Sequence, residues 1–206
     1  MQRYARGLSV AAVLLALGAF FLATAHGRDD DDKEKAKKTA AAKEAVLKLI
    51  GDIGGKDADV EKEAADVAAK HEIEFVMNQF KPREKGGLGV GAKAGAILPD
   101  AIELKLIALG NPKKMITKAD LTSQKADLQK MAETSLAIAE IAPHYAPKKD
   151  EPGAPIKDWL KFSEDMKKQS KDLVGAVKSG DPKMVQKASL TLNSSCNACH
   201  TEFRDK

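Results

Sequence analysis

The sequence predicts an all-α chain: an antiparallel four-helix bundle with an extra N-terminal helix behind a signal peptide. Three observations carry this. Ala, Lys, Leu and Glu are abundant, while the 206 residues hold one Trp, two Tyr and six Phe, a composition that suits helices better than sheets. Apolar residues recur at steps of three and four along four long stretches, as on the buried face of a helix. Gly- and Pro-rich segments such as "KPREKGGLGVGAKAG" and "PHYAPKKDEPGAP" separate those stretches.

Residues 1–25 carry Arg3 and Arg6, an uncharged apolar run from Leu8 to Ala23, and a small-residue "ATA" context. This reads as a secretory signal peptide cut after Ala25. The alternative is a retained anchor, since the run approaches the roughly 17 residues that span a bilayer. Cleavage removes two arginines and no acid from a formal charge of +4, so the basic balance does not point to nucleic acid. About 180 mature residues suit one domain. Residues 26–57 begin with a charge run, "GRDDDDKEKAKK", which cannot bury apolar surface and is expected as a solvated tether. An accessory helix from Glu34 to Ile50 follows, closed by "GDIGG".

The bundle is expected over 58–206. Its first helix runs from Ala58 to Phe80, with Ala69, Ile73, Val76, Met77 and Phe80 on one stripe. A shorter helix, Leu98 to Leu109, precedes "GNPKK". The second long helix, Thr117 to Ala142, places Leu121, Leu128, Met131, Ser135, Ile138 and Ala142 together. The third, Ile156 to Lys178, does the same for Trp159, Phe162, Met166, Leu173, Val174 and Val177. Gly180 suits a left-handed cap, Asp181 an N-cap and Pro182 a first helical turn. The fourth helix then aligns Val185, Ala188, Leu192, Ser195, Cys199 and Phe203. The "GGLGVG" stretch follows a helix rather than a strand, so it reads as a crossover loop and not a nucleotide loop.

The chemistry lies at the end of that fourth helix, in "CNACH". Cys196 and Cys199 are three apart and Cys196 and His200 four apart, so all three side chains leave one helical turn on neighbouring faces. Two thiols so spaced can add to the two vinyl groups of a haem while the imidazole meets the iron, which is the reading of C-x-x-C-H as c-type haem attachment. Three alternatives stand beside it. A structural zinc site needs a fourth ligand, and His71 or His144 would have to supply it from a distance. A redox dithiol belongs at the start of a helix in an alternating strand and helix pattern. A Cys196–Cys199 disulfide is open to an exported chain.

The stretch "WLKFSEDMKKQSKDLVGAVKSGDPKMVQKASLTLNSSCNACHTEFR" resembles the cytochrome c-prime family of class II c-type cytochromes in the order of its Trp, its "KSGD" turn and its C-x-x-C-H. The resemblance covers about the last fifty residues well and the middle helices loosely. It implies one covalently bound haem c and its iron, thioether bonds at Cys196 and Cys199, His200 as the proximal ligand and Arg204 beside the proximal face. It further implies a periplasmic electron carrier rather than an enzyme, redox partner proteins, and room for a homodimer. Neither nucleic acid nor, with the leader removed, a membrane is expected as a partner. The 26–57 arm and the "GGLGVG" loop depart from the family pattern.

Similar proteins place either a methionine or an apolar side chain opposite the proximal histidine. Met77 is the candidate sixth ligand, since a thioether raises the potential and favours electron transfer; it equally suits core packing. His71 is the alternative, about 120 degrees round the same helix, so both cannot face one iron. If Ile73 or Val76 covers the iron instead, the chain is a five-coordinate haem protein that binds small gases. A non-haem helical interaction domain closed by the disulfide is the third function.

Overall fold

The computed structural model describes residues 11–53, 59–150 and 155–204, with side chains from residue 30 onward. Within them the chain is all-α, with no strand among the described residues. The expected leader and its cleavage point lie outside the residues whose side chains are described. Packing divides the chain into Met1–Lys37 and Lys38–Lys206, so the division falls inside the stretch that the sequence set apart as 26–57.

Helix α1 spans Ala11–Asp52. In the first unit its charge run is helical rather than an irregular tether, with exposed side chains and a Lys33–Asp30 pair one turn apart at 3.7 Å. In the second unit α1 carries Ala42, Val46 and Leu49, all fully buried. Their steps of four and three make one stripe. The helix expected as an accessory is therefore part of the core. Lys43 Nζ donates to the Gly87 carbonyl at 3.1 Å, Gln79 Nε2 to the Thr39 carbonyl at 3.2 Å, and Lys48 Nζ to Glu63 at 2.7 Å.

The first expected bundle helix is not continuous. Helix α2, Val60–Lys70, starts at Asp59, whose carboxylate accepts from the Lys62 N–H, and ends at His71 in extended geometry. Glu72 is extended too, and α3, Ile73–Met77, restarts the winding before a 3-10 turn over Asn78–Phe80. The break resets the phase: α2 buries Ala64 and Val67 while Ala69 is exposed, and α3 buries Phe75 and Val76. A long-range contact replaces the lost helical bond. Tyr145 Oη donates to the His71 carbonyl at 2.5 Å.

Burial raises the Tyr145 phenol to about 12. A folded pKa above the unfolded value of about 10 means stability that is complete below pH 10 and lost as pH climbs through the folded pKa. Urea unfolding of the parent should therefore weaken more steeply over this alkaline window than that of Tyr145→Phe. Equal slopes would remove Tyr145 as the source. Lys105, held below its ordinary value by burial, acts in the opposite sense and is common to both proteins.

The crossover after α3 is clasped by one ion pair. Asp100 accepts from the Arg83 backbone N–H at 2.9 Å, the Arg83 guanidinium at 2.7 Å and the Val90 N–H at 3.1 Å. The guanidinium also donates to the carbonyls of Val90 and Gly91. Helix α4, Ile102–Gly110, follows. The second expected long helix appears as α5, Lys118–Ser123, and α6, Lys125–Ile141, separated at Gln124. Of these, α6 is buried on nearly every side from Met131 to Ile141.

Helix α7 spans Ile156–Ser179 and α8 Pro182–Phe203. Gly180 takes φ 70°, which an L side chain resists. Asp181 then accepts from the Lys183 N–H at 2.8 Å, and Pro182 opens α8. This tight turn reverses the chain, so α7 and α8 pack antiparallel. Lys125 at the start of α6 reaches the Lys178 carbonyl at the end of α7, while Trp159 near the start of α7 reaches the Ala142 carbonyl beyond the end of α6. That pair is antiparallel as well. The principal packing partners are α6 with α7, α7 with α8, α4 with α8, and α2 with α6.

Candidate functional site

The last turns of α8 position the chemistry. Leu192 and Ser195 are buried and hold the inner face of the helix against the core. Cys196 is half-buried and packs onto that core, whereas Cys199 and His200 are half-buried one turn further on. The Arg204 N–H donates to the His200 carbonyl at 2.9 Å and closes the helix; the Arg204 side chain is exposed. Helical spacing thus brings Cys196, Cys199, His200 and Arg204 together.

Aromatic rings flank this end. Phe203 meets Trp159 edge to face at 5.0 Å and Phe162 at 6.1 Å, geometries that favour ring edges on ring faces. The Trp159 indole N–H donates to the Ala142 carbonyl at 2.8 Å, which fixes the ring where α6 ends and α7 begins.

Both thiols are free. Burial, followed by the Glu103 carboxylate and the neighbouring Cys199, pushes Cys196 up to about 12; burial also raises Cys199. A dithiol built for exchange shows the opposite, a thiolate favoured at a helix N-terminus. Here the pair sits near the C-terminal end of α8, where the helix dipole adds no help. Among the described residues no three His, Cys, Asp or Glu side chains are arranged to hold a metal ion, so no zinc-type set with His71 or His144 is preformed. The donor set does fit a covalently held haem: two free thiols one turn apart, an imidazole next to the second, and apolar rings beside them.

The two candidates for the opposite side of the iron lie elsewhere in the fold. His71 is the cap residue at which α2 ends, and Met77 closes α3, partly buried against the core. Neither α2 nor α3 has α8 among its principal packing partners. The residues missed by sequence reasoning are Glu103, at the start of α4, and Asp165 on α7, both of which act electrostatically on Cys196. Only the packing of α4 and α7 on α8 brings them there, and no motif signals it. No family model, curated protein or solved structure matches the chain.

Proposed function

We propose that this protein is an exported c-type cytochrome that carries one covalent haem and passes single electrons to redox partner proteins. The observation that carries the reading is the presentation of Cys196, Cys199 and His200 on one turn of α8, with both thiols free and three aromatic rings beside them. Cys196 and Cys199 would hold the haem through thioether bonds, and His200 would bind its iron. Bound there, haem c supplies a one-electron couple, with no bond made or broken in a substrate. The chain's own part is rigidity and exclusion of water. Leu192 and Ser195 anchor the helix, Trp159 is pinned by its indole hydrogen bond, and Phe162 and Phe203 keep the site apolar. Burial and the axial ligand set the potential of such a centre.

The absorption spectrum of the purified, matured protein tests this. A Soret band that survives acid–acetone extraction is expected, and its loss is expected in Cys196→Ser/Cys199→Ser. Absence of a Soret band in the parent sinks the haem reading and leaves the helical interaction domain. On its thioether chemistry Met77 would be the candidate sixth ligand, with His71 the alternative. Met77→Ala should turn a low-spin spectrum high-spin, and an unchanged spectrum removes Met77. A parent that is already high-spin and responds to carbon monoxide favours the five-coordinate gas binder.

A further inference from the structure

We propose that the end of the bundle where α4 finishes and α8 begins is a docking surface for an anionic lipid membrane. Printed contacts bring α4, α6, α7 and α8 together there. Lys125, in the first turn of α6, donates to the Lys178 carbonyl at the end of α7 at 2.9 Å, the Gly180 turn joins Lys178 to the start of α8, and Gln186 of α8 donates to the Asn111 carbonyl just past α4 at 2.8 Å. This gathers Lys125, Lys178, Lys183 and Lys187 with Lys113 and Lys114, which follow Asn111 closely in the chain. All six side chains are exposed, and none makes an ion pair among the described residues. Segments 111–127 and 178–187 carry only the acids Asp120, Asp127 and Asp181. Two of these are already engaged, Asp181 by the Lys183 N–H and Asp120 by the Thr117 hydroxyl, and Asp127 is half-buried. The modest net charge of +4 conceals this local excess, which is the kind of basic cluster that anionic headgroups attract.

Two methionines among these lysines select lipid as the occupant. Met115, next to Lys114, is 43% exposed, and Met184, between Lys183 and Lys187, is 49% exposed. Such side chains suit the boundary between headgroups and acyl chains: the flexible thioethers enter, the lysine stems lie beside them, and the ammonium groups stay with the phosphates. A single-stranded nucleic acid would call for aromatic rings on which bases stack, and 111–127 and 178–187 contain none. An acidic protein would pair with the lysines but gives the exposed methionines no partner. Among the described residues no helix is long and apolar enough to cross a membrane, so the contact is peripheral. Helix α8 leads away from this end, and at about 1.5 Å per residue Cys196 lies roughly 20 Å along the axis from Lys183. A docked molecule therefore holds Cys196, Cys199 and His200 on the side away from the lipid. The docking does not rest on the haem reading; with a haem bound, it would leave that group facing the aqueous phase from which soluble partners approach.

Cosedimentation of the purified, matured protein with lipid vesicles tests it. At low salt the parent should bind phosphatidylglycerol vesicles and not phosphatidylcholine vesicles, and high salt should release it. A lysine near an anionic surface strengthens binding about fivefold, so Lys113→Glu/Lys114→Glu should weaken it by about 25-fold or more. Met115→Ser/Met184→Ser should weaken binding as well and leave a remainder that salt abolishes. Lys157→Glu/Lys161→Glu makes the same change in net charge on exposed residues at the start of α7 and should bind as the parent does. A parent that ignores phosphatidylglycerol vesicles, or binds both lipids equally, overturns the proposal. So do two lysine pairs that weaken binding alike, or a methionine variant that binds like the parent. A protein that ignores vesicles but is retained on immobilised polyglutamate through Lys113 and Lys114 overturns it in favour of an acidic protein partner.

Discussion

Asp100→Ala is expected to cost the Lys38–Lys206 unit about 3–5 kcal/mol, the range for breaking one partner of a buried ion pair. For a chain of this size that corresponds to a fall in melting temperature of roughly 6–20 °C. The carboxylate and the guanidinium of Arg83 are 12% and 22% exposed, so solvent screens them little. Asp100 accepts from three donors at once, and two are backbone N–H groups, those of Arg83 and Val90. Its removal strands both amides and leaves the guanidinium with only the carbonyls of Val90 and Gly91. Unmet buried donors cost more than the bonds they lose. Asp100→Asn keeps an acceptor and should fall between parent and Ala. Arg83→Met/Asp100→Ala should be less damaging than Asp100→Ala alone, because no unpaired cation is left. A change within about 1 kcal/mol for Asp100→Ala, the range of an exposed pair, would show that the clasp contributes no more than a surface contact.

The second large effect concerns the part of α1 that belongs to the core. Leu49→Ala is expected to destabilise the same unit by about 2–5 kcal/mol, since a fully buried leucine is replaced by a cavity. Removing residues 26–57 altogether should prevent cooperative unfolding from being observed. That deletion strips Ala42, Val46 and Leu49 from the core together with the Lys43–Gly87 and Gln79–Thr39 hydrogen bonds. Urea unfolding followed by circular dichroism reads both. A truncated chain that unfolds with the midpoint of the parent would return the 26–57 segment to the accessory role that its sequence suggested.

Much of the C-terminal half was legible because its signals are local. Gly180, Asp181 and Pro182 specify a cap, a turn and a start in three consecutive residues, and each does what its chemistry dictates. The stripe of the second expected helix, from Leu121 to Ala142, is buried as its periodicity implies, and that of the fourth is buried from Val185 to Ser195, while its last members Cys199 and Phe203 are half-buried. The proximity of Cys196, Cys199 and His200 needs only helical geometry. The features that escaped are those made by distant residues. Nothing in "AAKHEIEF" breaks a helix by composition; the interruption at His71 and Glu72 is accompanied by a hydrogen bond from Tyr145, which lies 74 positions away. The stripe Ala42, Val46, Leu49 was present in the sequence, but "GDIGG" marks the end of a helix and not the membership of a core. Helix α4 is only nine residues long, with Leu and Ile on opposite faces and Glu103 and Lys105 as its polar members, so periodicity could not say which of its faces is buried.

At Gly110 the α4 backbone comes close to the backbone of α8. A Cβ built there would lie 3.0 Å from both the Cα and the amide nitrogen of Leu190, which is backbone and cannot swing aside. The two helices run in opposite directions, since Gln186 near the start of α8 reaches the Asn111 carbonyl at the end of α4, while Glu103 at its start acts on Cys196. Gly110 thus holds the C-terminal end of α4 close against the backbone of α8. One added methyl there would press on backbone and push that end of α4 away from α8, so the close approach of the two helices depends on a residue that has no side chain and no chemistry of its own.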